Sequence, residues 1–339
     1  MLDNEEKLHY DKLLLATGCV NRYPPIPGLD KTQFNSLRNK KDYAEINKTV
    51  RSEGIKNVTI IGGGFIGMET ASAIKMALKE NINVTILEQG ETPLQHVVGK
   101  DVGQVIQGLA DKNGVKVVTS ARIKNIESGE DGKPQKVVLE SGEVPTDMLI
   151  MATGVKTAID FVPELIDSQT NGIKTNAFLE TQKKDVYAAG DIASYPFWYT
   201  GKTTRIEHYN EAIYQGSVAA LNMGGKKFPM DNIPFFWTRS FNNSLAVTGA
   251  IQGWNDIHIT GSLGDGKFVA YYIDKNTDMI LGAAAMNMPN SIQIINEAMR
   301  NGVMPKASLV KSGVANLEQI LKDTKAKNPK CTRCTRCSK

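Results

Sequence analysis

The chain has 339 residues, of which 41% are hydrophobic and 22% charged, with a net charge of +4. These proportions exclude a disordered chain, a collagen and a coiled coil, and no apolar run approaches the roughly 18 residues of a membrane span. From Lys322 to Lys339 there are seven Lys/Arg and one acid, so the remainder sums to −2 and charge gives no case for nucleic-acid binding.

The N-terminal Met1–Glu6 stretch is acidic and polar, neither a signal peptide nor an Arg-rich transit sequence. The first predicted strand is Leu13 to Ala16, ending in Thr17-Gly18. The prolines of Arg22–Gly28 exclude a helix interior there. A polar helix is expected over 40–53. Val58–Ile61 is an apolar, β-branched run of the kind a buried parallel strand needs. It runs into Gly62-Gly63-Gly64-Phe65-Ile66-Gly67, then a helix from about Met68 to Lys79 and a strand over Asn83–Leu87 ending at Glu88. That order is a βαβ unit.

A helix over Asp101–Lys112 and strands over Val115–Val118 and Lys136–Leu139 follow. Met148–Ala152 ends in Thr153-Gly154, repeating the strand-plus-Thr-Gly ending of residues 14–18. Val186–Ala189 leads into Gly190-Asp191. A helix over 207–222 is expected to place Ala212, Ile213, Gly216, Ala219 and Ala220 on one face. Beyond Ile233, short strands over 244–248, 257–260, 268–272 and 279–283 alternate with turns. The Gly264-Asp265-Gly266 hairpin is among these turns, and a helix over 290–301 follows. The tail after Lys322 has almost no apolar content and is expected to be disordered.

Gly62-x-Gly64-x-x-Gly67 sits between a strand and a helix, and Glu88 lies 21 positions after Gly67. The first glycine makes the tight turn, the second admits a pyrophosphate, and the third lets helix and strand pack closely. The phosphates then rest on the helix N-terminus. Glu88 would accept hydrogen bonds from the adenosine ribose and repel a 2′-phosphate, which favours NAD over NADP. Asp191 ends a strand where α/β sheets hold ligands. It is placed either to bind a polyol hydroxyl or to cap the next segment, and spacing alone leaves both open.

Tyr10–Gly18, the GGGFIGMET stretch, Ala152-Thr153-Gly154, Tyr187–Asp191 and Pro234-Phe235-Phe236-Trp237 occur in an order that closely resembles the FAD- and NAD-dependent pyridine-nucleotide oxidoreductases. The nearest branch is similar to the NADH:ferredoxin reductases and to proteins like apoptosis-inducing factor. The resemblance covers about residues 7–320. It implies an α/β fold, in which a Rossmann-like NAD domain is inserted in a truncated FAD domain and a C-terminal α+β domain follows. The implied segments are 1–48 and 158–228 for FAD, 49–157 for NAD(H), 229–321 for the C-terminal domain and 322–339 for the basic tail.

The resemblance assigns Gly62, Gly63, Gly64, Phe65, Ile66, Gly67 and Glu88 to NADH. It places the Gly190-Asp191 strand end on the ribityl chain of FAD and Arg22 at the FAD edge, and the strand ends Ala16, Thr17, Gly18, Thr153 and Gly154 are counted as cofactor-binding. Glu207-His208 returns to the flavin ring, Trp237 lies near it, and Glu69 sits where nicotinamide stacks on flavin. Each has a plainer alternative: Trp237 as a core aromatic, His208 as a helix cap, Glu69 as a first-turn acid that suits the dipole, and Arg22 as a solvated loop residue.

Hydride transfer from NADH to FAD requires no side-chain acid or base, so no catalytic residue is named. The implied partners are NADH and a small redox protein or quinone-type acceptor. The family's first Rossmann unit, which binds the ADP half of FAD, is not found before Tyr10. The alternatives are a sensor like apoptosis-inducing factor and a non-catalytic NAD-binding fragment. Cys19 is the one cysteine of the body, which suits a reducing compartment. The expected location is cytoplasmic, or mitochondrial if a targeting segment precedes Met1. Cys331, Cys334 and Cys337 have ligand-like spacing but lack a fourth ligand, and no metal is assigned to them.

Overall fold

The computed structural model describes residues 7–327. In chain order the elements begin with β1 (Leu13–Leu15), β2 (Cys19–Asn21), β3 (Asn35–Ser36), α1 (Lys40–Thr49), β4 (Asn57–Ile61), α2 (Phe65–Leu78) and β5 (Asn83–Leu87). Then come α3 (Gln95–Val98), α4 (Lys100–Lys112), β6 (Val115–Val118), β7 (Ile123–Ser128), β8 (Pro134–Leu139), β9 (Gly142–Pro145), β10 (Met148–Met151) and β11 (Val155–Thr157). The next stretch holds β12 (Ile166–Asp167), β13 (Gly172–Lys174), β14 (Val186–Ala188), β15 (Ala193–Pro196), β16 (Thr203–Thr204) and α5 (Tyr209–Met223). The last holds β17 (Phe235–Ser240), β18 (Asn243–Gly249), β19 (Asp256–Ser262), β20 (Lys267–Asp274), β21 (Met279–Met286), α6 (Pro289–Arg300), α7 (Ala307–Lys311) and α8 (Leu317–Lys327).

Five parallel strands form one sheet in the order β3-β10-β4-β5-β6. The apolar run at Val58, Ile60 and Ile61 is buried, as a doubly covered parallel strand requires. Thr59 is buried too, and its hydroxyl is satisfied by Thr146 at 2.8 Å. The order places the C-terminal ends of β4, β5 and β10 side by side, which brings Gly62, Glu88 and Ala152 together.

The C-terminal strands form an antiparallel sheet in the order β17-β18-β21-β20-β19. Its alternating side chains serve two cores. Leu245, Val247, Phe268, Ala270 and Tyr272 join the core that holds Val58, Met68 and Val102. Val269, Tyr271, Ile273, Ala283 and Ala285 join α5 and α6 residues on the other face. The sheet is therefore packed on both sides. Buried polar bonds reinforce this: the Tyr272 hydroxyl donates to Val98 O at 2.9 Å, and the Phe241 N–H donates to Ser72 Oγ at 2.8 Å.

β1 pairs in parallel with β14, and β2 pairs antiparallel with β11. The β2–β11 ribbon joins the two Thr-Gly endings that repeat in the sequence. Thr17 Oγ1 donates to Ala158 O at 2.6 Å and Thr153 Oγ1 donates to Arg22 O at 2.5 Å, each threonine closing on the other strand.

Several expectations are corrected. The helix over 40–53 ends at Thr49, and turns lead through Gly54 to β4. The helix expected from Met68 begins at Phe65, so the glycine loop passes directly into it. The buried face of α5 is Glu211, Gln215, Val218, Ala219 and Asn222, whereas Ile213 is 65% exposed and Ala220 is exposed. Of the expected face Ala219 is buried, and apolar periodicity misses the rest because the buried polar residues find partners inside. The tail expected to be disordered from Lys322 is helical to Lys327, held by buried Leu321 and a Lys325–Glu297 ion pair of 2.9 Å. The Cys331–Cys337 stretch lies outside the described residues. Among the described residues no helix is long and apolar enough to cross a membrane.

Candidate functional site

The glycine loop divides by what surrounds each residue. Gly62 has φ +110°, and a Cβ there would lie 2.2 Å from Ala152 O. A Cβ on Gly67 would lie 2.0 Å from Gly62 O. Both are glycine because backbone passes against backbone. Gly64 differs: it is the N-cap of α2, with nothing within 4 Å of a Cβ built there. The first returning helical bond is from Met68 N–H to Gly64 O at 3.0 Å. The N–H groups before it lie in the first turn, where helices leave donors free and where the dipole favours an anion. The gap over Gly64 therefore fits a pyrophosphate.

Glu88 closes this loop. Its Oε2 accepts the Gly63 N–H at 2.7 Å and its Oε1 accepts the Gly90 N–H at 2.6 Å. A Cβ on Gly63 would sit 2.7 Å from Glu88 Oε2, so glycine makes room for the carboxylate. Two fixed amides hold this charge beside the loop, with lone pairs left to accept from a ribose diol.

Phe65, Ile66 and Glu69 line a cleft of about 1450 Å³, together with Glu207, His208, Phe236, Trp237 and Thr238. The structure thus brings six of the sequence-predicted residues from three distant segments to one cavity. Phe65 meets Phe236 edge to face at 5.7 Å. His208 lies 4.6 Å from Tyr209 and 5.3 Å from Phe236, and Tyr209 meets Trp237 at 6.0 Å. Trp237 is 45% exposed, so it is a rim residue and not a core aromatic. Glu69 Oε1 accepts from Thr238 Oγ1 at 2.5 Å, which ties α2 to the edge strand β17. His208 caps α5: its Nδ1 accepts the Asn210 N–H at 3.2 Å, leaving the ring's proton on Nε2. Burial pushes this imidazole below its ordinary range, and the Asp191 charge opposes that shift.

Gly18, Gly154, Gly190 and Asp191 do not line the cleft. They gather at the β2–β11 ribbon and the β14 end, where Ala16 and Thr17 are exposed. Asp191 Oδ2 is 3.4 Å from Arg38 Nη2. Arg205 Nη1 donates to Asp191 O at 2.9 Å and to Glu207 Oε1 at 2.6 Å, joining this group to the cleft. Arg22 Nη2 donates to Thr153 O at 3.3 Å, so it is tied to the ribbon and does not stand free in its loop. Exposed hydroxyl and guanidinium groups and the half-buried Asp191 carboxylate, around positive-φ glycines, fit a polar, polyol-bearing ligand. Arg38 and Arg205 were not found by sequence reasoning, because nothing near either one signals a partner that only the fold brings close. Cys19 is buried here and its thiol is pushed up to about 12, by burial first and then by Glu207 and Asp191. It remains a thiol.

The sequence profile of the pyridine nucleotide-disulphide oxidoreductases matches residues 2–216, and a reductase C-terminal profile matches 235–321. Apoptosis-inducing factor 3 of Homo sapiens is 31% identical over 300 residues, covering 87% of this chain and 48% of that protein. The ferredoxin–NAD(+) reductase component of the biphenyl dioxygenase system of Paraburkholderia xenovorans is 26% identical, covering 93% of this chain and 75% of that protein. Among solved structures, the covalent putidaredoxin reductase–putidaredoxin complex aligns with a TM-score of 0.85 at 26% identity, covering 96% of this chain and 77% of that chain. This chain spans about half the length of the apoptosis-inducing factor 3 proteins it matches.

Proposed function

The chain belongs to the pyridine nucleotide-disulphide oxidoreductase family, and from that premise we propose that it is an NADH-dependent flavin oxidoreductase delivering electrons to a ferredoxin-like or other acceptor. The observation that carries this is the cleft in which the start of α2, below the Gly62–Gly67 loop, faces Glu207-His208. Gly64 and the first turn of α2 hold the NADH phosphates, and Glu88 accepts from the adenosine ribose. Arg38, Asp191, Thr17 and the Gly154 ribbon would hold the polar chain of FAD. FAD supplies a two-electron acceptor that can release electrons singly.

The chain's own groups position and shield. Phe65 and Phe236, half-buried and packed edge to face, shield the nicotinamide end of the cleft from water. His208, neutral and fixed by its cap bond, presents an N–H to it. Trp237 stands at the rim, where a small redox protein would approach. The names of the ferredoxin reductase relative and of the putidaredoxin complex support that class of acceptor. In this reading residues 49–157 hold NADH, and segments 1–48 and 158–228 hold the flavin. The lone body cysteine supports a reducing, cytoplasmic setting.

A second reading, implied by the resemblance to apoptosis-inducing factor, is an NADH sensor that turns over slowly, and a relative of that name is 31% identical. An absorption spectrum of the purified chain, before and after FAD and then NADH under argon, tests both. A retained flavin band that bleaches with NADH and recovers quickly with a ferredoxin supports the reductase. A reduced complex that persists with the acceptor present supports the sensor. A chain that retains no flavin but binds NADH is a nucleotide-binding piece, and the reductase reading is then wrong for it.

A further inference from the structure

One buried carboxylate has no part in the roles above. Glu211 lies in the first turn of α5 and is 3% exposed, and Gln215, one turn on, is 0% exposed. Glu211 Oε1 accepts from the Tyr195 hydroxyl at 2.6 Å and from Gln215 Nε2 at 3.4 Å, while Oε2 accepts from Asn232 Nδ2 at 2.7 Å. Burial, with Glu211 beside it, holds the Tyr195 phenol well above its ordinary range, so that hydroxyl stays a donor. Three donors converge on the group, the arrangement that suits an acceptor-only carboxylate.

This arrangement fixes which way Gln215 points. A side-chain amide has one donating end and one accepting end. Because Glu211 only accepts, the NH₂ end of Gln215 turns to it. The oxygen end then faces β14 and accepts the Gly190 N–H at 2.7 Å. Gly190 lies just past the β1–β14 ladder with φ +82°, and its N–H goes to Gln215 in place of a strand partner. Asp191 follows directly.

We infer that Glu211 is a positioning residue, which acts through Gln215 to fix the Gly190 N–H and so the turn that presents Asp191. Asp191 is then held on three sides: the Gly190 amide through Gln215, its carbonyl through Arg205, and its carboxylate through Arg38. The inference rests on the flavin reading only for what Asp191 holds.

Native-state hydrogen exchange at the Gly190 amide, in the chain without added flavin, tests it. Glu211→Gln offers an NH₂ group that lets Gln215 reverse. The exchanged pair, Glu211→Gln with Gln215→Glu, again places an acceptor opposite Gly190. The expected result is exchange about tenfold faster or more in Glu211→Gln, with β20 amides unchanged. The exchanged pair should return to within about threefold of the original rate. Unchanged protection in Glu211→Gln overturns the inference. So does an exchanged pair as unprotected as the single variant, or a loss spread equally over β20, since either means general loosening. Titration of FAD into the unsubstituted chain runs beside this. A chain that takes up no FAD overturns the flavin reading, and the exchange data still decide the positioning role.

Discussion

The Gly62–Glu88 loop and the Gly18–Gly190–Asp191 group are both built on glycines at strand ends, yet they are held in different ways. The first is made by backbone against backbone: Gly67 on Gly62 O, Gly62 on Ala152 O, and Glu88 on two amides of its own neighbourhood. It stands on a core shared with the C-terminal sheet. The second stands on a two-stranded parallel pair and on side-chain bonds that cross the chain: Thr17 to Ala158, Thr153 to Arg22 and Arg38 to Asp191. Where backbone packs on backbone, as at Gly62 and Gly67, the site tolerates no change of shape. A side-chain-tied site loses function first and stability later.

The largest break in that comparison is Gly67→Ala. Its Cβ meets a carbonyl oxygen at 2.0 Å and neither backbone can yield. A loss of about 3 kcal/mol is expected in denaturant titration, together with loss of NADH binding. Arg38→Ala should behave in the opposite way. Its ion pair with Asp191 is partly exposed, so it contributes ~0.5 kcal/mol or less to stability. FAD affinity, read by fluorescence titration, should nevertheless fall about tenfold, equivalent to about 1.4 kcal/mol. If Arg38→Ala lowered stability as much as Gly67→Ala, the contrast between the two regions would fail.

His208→Asn gives the smallest effect. Burial favours the neutral imidazole in the folded chain. Below the ordinary histidine range of about 6.5 the unfolded chain therefore binds more protons, and stability falls as pH drops through that range. Asparagine keeps an N-cap acceptor and removes the titrating group. Thermal unfolding from pH 8 to pH 5 should decline less steeply in the variant.

The same contrast explains how much was legible in the sequence. The βαβ unit could be read from Val58 to Glu88, because strand, glycine spacing, helix and acid are local and each is dictated by a backbone need. The Gly264–Gly266 hairpin could be read for the same reason. What could not be read depends on distant partners. The buried face of α5 was misplaced because Glu211, Gln215 and Asn222 look like surface residues until Tyr195, Gly190 and Phe228 are brought to them. Arg38 and Arg205 were missed for the same physical reason. The two Thr-Gly endings were visible as a repeat, but their pairing through β2 and β11 belongs to the fold.

Gly64 is where the account can be tested most directly, since its site is open and its backbone unstrained. Aspartate there suits the N-cap position and should leave the melting temperature unchanged, while placing a carboxylate where the pyrophosphate would rest. Calorimetric titration of NADH into Gly64→Asp should show affinity lower by about 100-fold, from like-charge repulsion at close range. A folded Gly64→Asp chain that binds NADH as the original does would contradict this placement of the cofactor.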